Sequence, residues 1–343
     1  MELILLASAA LVLVSILLEP IAARIGAPLL LLFLALGMLL GEDGPGGIDF
    51  DDFETAYNLG ALSLAVILFA GGLDTPLADI RRAAAPAFVL ATIGVVLTAS
   101  IVGFAAAYLF SVPLTDGLLL GAVVGSTDAA ATFLLLGQRN VRLRGRIRET
   151  ILVESGINDP MAIFLTLTLV GIVDAGVSLE TIALRDLATL FGQQLGLGAA
   201  LGVAGGYLLA RMTDLVRLPL GLYAPLCLAG ALVIFAGTGL LGGSGFLAIY
   251  LTGLMLTWRV RRAQDRIVHF HEGLSWLSQI LMFVMLGLLM TPSDLGATLL
   301  PAIALAMVLM FVARPLAVLI CLTPFRFPLR DQLFVGWVGL RGA

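Results

Sequence analysis

The chain has 343 residues, of which 60% are hydrophobic and 12% charged, with a formal net charge of −4 at pH 7. Soluble domains carry about 25% charged residues, so the composition excludes an ordinary soluble globular protein. The apolar residues fall in runs of about twenty, the length that crosses a bilayer core.

The first run, Leu3 to Leu18, lacks a basic leader and ends at Glu19-Pro20, not at a small-residue cleavage site. It reads as a membrane helix, not a cleavable signal peptide. The hydropathy pattern predicts twelve spans: 3–20, 27–41, 56–73, 84–110, 116–137, 149–173, 182–211, 219–238, 244–258, 268–290, 296–322 and 328–343. The last run stops inside a span, so the protein is expected to continue beyond it. Cys227 and Cys321 both lie in apolar runs and read as packing residues. The glycines from Gly192 to Gly206 read as small-residue helix packing. His269 and His271, in the arginine-rich stretch before the tenth span, read as solvated loop residues.

All 19 basic residues are arginines, and they segregate by loop. One alternate set of loops holds Arg24, Arg81 and Arg82, the Arg139–Arg148 cluster, Arg211 and Arg217, Arg259 to Arg266, and Arg326 and Arg330. The other set holds only Arg185. Positively charged loops stay in the cytoplasm, which puts the N-terminus and the acidic Glu42–Glu54 loop outside. The same asymmetry suits the Arg139–Arg148 cluster to anionic lipid. Arg314 and Arg341 fall inside spans and are candidate counter-charges.

Three carboxylates also fall inside apolar spans: Asp128, Glu154 and Asp159. Ionisable groups at that depth are costly and mark ion pathways or proton relays. In the sixth span, Glu154 and Asn158 share one helix face, and Ser155 and Asp159 share the adjacent one. A hydroxyl beside a carboxylate supplies oxygen ligands for a hard monovalent cation. Pro160 frees the carbonyl of Gly156, and free carbonyls are tolerated in a membrane where they line a cavity. The fifth span is interrupted at Gly125-Ser126-Thr127-Asp128, and the twelfth at Gly336-Trp337-Val338-Gly339-Leu340-Arg341-Gly342. Paired interruptions of this kind point to a transporter site built from broken helices. Asp128 and Arg341 read equally as ion-site residues and as counter-charges to the exposed half-helix dipoles. Asp159 is the expected carrier. A proton and a cation competing for one carboxylate make an electroneutral exchanger, since Asn158 contributes no charge.

These motifs, Gly125-Ser126-Thr127-Asp128-Ala129-Ala130-Ala131, Glu154-Ser155-Gly156-Ile157-Asn158-Asp159-Pro160 and Trp337-Val338-Gly339-Leu340-Arg341-Gly342-Ala343, resemble those of monovalent cation:proton antiporters of the NhaP type. Gly41 to Ile48 and Ala313-Arg314-Pro315-Leu316 resemble the potassium/proton antiporter subgroup called cell volume regulation protein A. The resemblance implies an all-α, polytopic membrane protein with a thirteen-helix inverted-repeat fold and broken crossing helices. Residues 1–343 would form a single transporter domain, with 84–173 and 296–343 as the mobile core. Residues 1–83 and 174–295 would be the dimerisation scaffold of a homodimer, and a cytoplasmic regulatory domain would follow. The ion site maps onto Asn158 and Asp159, with Ser155 and Thr127 as further ligands for K⁺ or Na⁺. A buried ion pair maps onto Glu154 and Arg341, with Arg314 the alternative partner. Asp74, near the end of the third span, matches an acidic position of some sodium-type members and also suits an interfacial cap. The implied function is antiport of K⁺ or Na⁺ against H⁺ across a bacterial inner membrane, for ion, volume and pH homeostasis. No enzyme activity, resident cofactor or nucleic-acid partner is expected. A channel would need a filter loop or a ring of ligands from several subunits, and an intramembrane aspartyl hydrolase a defensible nucleophile–base geometry. The sequence displays neither.

Overall fold

A computed structural model of the chain describes residues 2, 6, 9–17, 29–75, 77–127, 145–176 and 184–338. Among these residues the helices fall into twelve spans. The first six are α1 (9–17), α2 (Leu29–Leu40), α3 (Phe53–Leu73), α4 (Leu77–Val89, Leu90–Gly94 and Val95–Phe110 end to end), α5 (Leu114–Val123) and α6 (Gly145–Asp174). The second six are α7 (Leu184–Leu215), α8 (Tyr223–Leu240), α9 (Gly245–Arg259), α10 (Gln264–Leu288), α11 (Leu295–Val308, Leu309–Ala313 and Arg314–Leu322) and α12 (Leu329–Val338). Each matches one of the spans expected from hydropathy. Local chemistry sets several of the ends. Asp52 caps α3 by accepting the Thr55 N–H at 2.9 Å, and Ser244 caps α9 by accepting the Leu247 N–H at 3.3 Å, as short polar N-caps do.

Large apolar side chains point outward all round the molecule, Leu240 (89% exposed) and Leu300 (79%) among them. Water would penalise such a surface, whereas lipid is its natural solvent.

The helices pack in two groups. One holds α4, α5, α6, α11 and α12, and the other α2, α3, α7, α8, α9 and α10. Leu11 of α1 packs with the second group, on the cluster around Phe33 and Phe283. The groups meet where α6 touches α3 and α9.

A sevenfold offset in helix number relates the two halves. Both α4 and α11 carry a five-residue π turn in mid-span, at Leu90–Gly94 and Leu309–Ala313. The π turn of α4 packs on the Arg314–Leu322 segment of α11, and that of α11 packs on the Val95–Phe110 segment of α4. This reciprocal crossing is what an inverted repeat produces. Pro315 explains the second π turn, because its ring clashes with the carbonyl four residues back and forces the ladder to widen. Nothing comparable in the sequence follows the first.

The interruption expected in the fifth span is present: helix α5 ends at Val123, and Gly125, Ser126 and Thr127 leave the helix. Glycine is costly in a helix, and serine and threonine compete for backbone hydrogen bonds. Residues 128–144, with Asp128 and part of the arginine cluster, lie outside the described residues, as does Arg341. His271 is not in a solvated loop, because α10 begins at Gln264 and carries it inward. It is fully buried, 4.9 Å edge-on from the Phe69 ring, while His269 on the same helix is exposed. The glycine-packing expectation holds for Gly198, Gly202 and Gly206, which face α9, whereas among the described residues nothing lies within 4 Å of a Cβ at Gly192 or Gly196.

Candidate functional site

The broken end of α5 is delivered against the middle of α6 by tight packing. A Cβ at Gly121 would overlap the Ala99 carbonyl of α4, so only glycine lets α5 lie this close. Two hydroxyl residues immediately beyond its end then reach α6. Ser126 donates to Asp159 Oδ1 at 2.8 Å. Asn158 Nδ2 donates to Thr127 Oγ1, and the Thr127 hydroxyl lies 3.5 Å from Glu154 Oε1.

Helix α11 closes the third side. Arg314 follows directly on its π turn and grips Glu154 with both terminal nitrogens, Nη1 to Oε1 at 2.6 Å and Nη2 to Oε2 at 2.9 Å. Glu154 is 0% exposed and Arg314 3%. This two-pronged geometry is the strongest form of the pair, and it occupies both oxygens of Glu154. The arginine that the resemblance put first for this role was Arg341; the described partner is Arg314.

Glu154 and Asp159, the two carboxylates at this point of α6, therefore stand in different conditions. Glu154 is buried and neutralised by a permanent cation. Asp159 is only half buried and holds a hydroxyl donor from the chain break. Ser155, one turn before it, is likewise half buried. Asn158 is fully buried, and its Oδ1 has no hydrogen-bond partner among the described residues. An unsatisfied buried carbonyl oxygen is costly unless something supplies positive charge. Thr127, Ser126, Asp159 and Asn158 thus bring hard oxygen atoms to one place, with one carboxylate in reach of solvent.

Sequence reasoning passed over two residues here. Ser126 was read only as part of a chain break, yet it is the donor to Asp159. Tyr250 of α9, 2% exposed, comes from the other helix group and presses on α6: a Cβ at Gly156 would overlap its Oη. The only signal for Tyr250 is a polar atom in an otherwise apolar helix. Asp74 lies outside this cluster, as the C-cap of α3, its backbone N–H bonded to the Ala70 carbonyl at 3.0 Å. Partial burial and the nearby Glu272 carboxylate push its carboxyl above the usual carboxylate range, against the opposing pull of His269.

The family model described as "Sodium/hydrogen exchanger, transmembrane" matches residues 9–343. The chain is 51% identical over 331 residues to the K(+)/H(+) antiporter NhaP2 of Shewanella sp. (strain ANA-3), covering 96% of this chain and 57% of that protein. It therefore spans little more than half the length of that curated relative. The Na(+)/H(+) antiporter 1 of Methanocaldococcus jannaschii is 31% identical over 341 residues, covering 94% of this chain and 76% of that one. The solved structure of the sodium proton antiporter MjNhaP1 from the same organism, at pH 8, superposes with a TM-score of 0.85 and 26% identity. That match covers 100% of this chain and 84% of the other.

Proposed function

Because the chain belongs to the transmembrane sodium/hydrogen exchanger family, we propose that it performs secondary antiport of a monovalent cation against H⁺, with K⁺ the favoured cation. One observation carries the reading: of two carboxylates five residues apart on α6, Glu154 is consumed by Arg314 while Asp159 is partly exposed and accepts the Ser126 hydroxyl. Of these two, Asp159 is the one placed to exchange a proton for a cation, and each turnover moves one charge in each direction. Thr127, Ser155 and Asn158 supply the remaining oxygens. K⁺ is favoured by the 51% identity to a K(+)/H(+) antiporter, against 31% to an Na(+)/H(+) antiporter, and by the resemblance of Gly41 to Ile48 and Ala313 to Leu316 to the cell volume regulation protein A subgroup. Na⁺ is the second reading, favoured by the superposition on a sodium proton antiporter.

The two helix groups supply the moving parts. Residues 84–173 and 296–343 form the mobile core, and 1–83 and 174–295 the static scaffold through which two copies dimerise. Their separate packing and the narrow seam at α6 support this division. The protein sits in the bacterial inner membrane with its N-terminus outside. Two contacts support the sorting of the loops into two sides. Arg146, in the first turn of α6, donates to the Phe325 carbonyl at 2.9 Å and so joins two arginine-bearing ends. Asp43 accepts from the Ser293 N–H at 2.8 Å and joins two loops of the opposite set.

The test is proton release from acidified proteoliposomes on adding KCl or NaCl. Saturable release by wild type, stronger with KCl and absent in Asp159→Asn, is expected. Wild-type release in Asp159→Asn would overturn the assignment of the carrier, and stronger release with NaCl would replace the cation.

A further inference from the structure

We propose that a cavity between the ends of α7 and α9 is a binding site for the phosphate headgroup of an anionic phospholipid. The cavity has a volume of about 740 Å³ and lies where both helices end on the arginine-rich face. Arg211, Arg259 and Arg261 line it, and its one carboxylate, Asp214, is already engaged. Asp214 Oδ1 accepts the backbone N–H groups of Arg261 at 3.1 Å and Arg262 at 3.2 Å, which fixes the turn after α9. The Arg259 guanidinium stacks 5.4 Å from the Tyr207 ring, tying the two walls together.

The arginines set the ligand chemistry. Three guanidinium groups form an acceptor-seeking lining, which suits a phosphate with several oxygens.

Size and setting choose the source. The volume falls in the range that holds a ligand of many atoms, far more than a lone phosphate fills. One side opens past Leu215 (78% exposed) and Tyr207 (43%), part of the apolar outer surface. Acyl chains would leave the cavity there into lipid, while the headgroup stays among the arginines. Anionic lipids concentrate at the face where positively charged loops gather. The site is separate from Asp159 and its neighbours, so the inference does not depend on the transport reading.

The test uses the full-length protein in detergent, with lipid retention read by native mass spectrometry against phosphatidylglycerol, phosphatidylcholine and inorganic phosphate. Wild type should retain phosphatidylglycerol in preference to phosphatidylcholine, and inorganic phosphate should displace it only weakly. Each of Arg211→Gln and Arg259→Gln should weaken retention by about five-fold, whereas Arg330→Gln, on the same face outside the cavity, should not. Equal retention of both lipids, or retention unaffected by all the cavity variants, would overturn the proposal. Strong displacement by inorganic phosphate, with no preference between lipids, would overturn the lipid as source and leave a soluble phosphate in its place.

Discussion

Consider deleting one half of the Glu154–Arg314 pair. Glu154→Gln keeps the shape of the side chain, and its oxygen still accepts from one Arg314 nitrogen. Its amide nitrogen then faces the other guanidinium donor, where the carboxylate oxygen had been at 2.9 Å. Arg314, 3% exposed, is left as a buried cation without a counter-charge. Arg314→Met does the converse, leaving Glu154 charged, fully buried and, among the described residues, in reach of only the Thr127 hydroxyl at 3.5 Å. Breaking a buried pair from one side costs about 3–5 kcal/mol, whereas replacing both members with uncharged groups is often near neutral. With about 2.1 cal/mol/K of unfolding entropy per residue, each single variant should lose on the order of 5 °C in melting temperature. The double variant should recover more than half of the summed loss. Thermal unfolding in detergent of the wild type, both single variants and the double variant gives the coupling directly. Strict additivity would refute the reasoning, because it would mean that the two charges do not stabilise one another. The same cycle run with Arg341→Met in place of Arg314→Met should be additive.

Ser126→Ala removes the donor that stabilises the charged Asp159. The cation concentration for half-maximal exchange should rise about 3–10-fold with a smaller change in maximal rate, since water replaces part of the bond at a half-exposed group. Gly156→Ala forces the Tyr250 ring out of its buried seat. It should lower the melting temperature, and adding Tyr250→Leu should restore part of the loss; no recovery would mean that the clash is not with Tyr250. The raised carboxyl of Asp74 makes ionisation costlier in the folded state than in the unfolded one. Stability attributable to this group is therefore greatest at low pH and lost as pH rises past the ordinary carboxylate range. Asp74→Asn should melt higher than wild type at pH 7, and the difference should vanish near pH 4.

Much of the architecture was legible because bilayer physics writes it in a coarse alphabet. Apolar runs set the spans, and the alternation of arginine-bearing loops fixed their number. The α6 cluster was legible for a similar reason: helix spacing alone puts Glu154 with Asn158 and Ser155 with Asp159. Choosing between Arg314 and Arg341 was not legible, since both are lone arginines in apolar spans. The choice depends on a π turn that rotates the start of the Arg314–Leu322 segment toward α6, and hydropathy does not register an extra residue in a helical turn. The burial of His271 was hidden by its neighbours, because the polar residues of Gln264–Glu272 look like a loop until the helix sorts them onto opposite faces. Tyr250 was hidden because its relation to Gly156 is purely tertiary, across the seam between the two helix groups.

The central claim is that a single carboxylate, Asp159, alternates between one proton and one monovalent cation. The most direct measurement is the null point of exchange in proteoliposomes, with the inner and outer cation and proton concentrations varied independently under an imposed membrane potential. One-for-one exchange predicts zero net flux whenever the cation ratio across the membrane equals the proton ratio, at every potential. A null point that moves with the potential would show that each cycle carries net charge, and a single-carboxylate carrier would be contradicted.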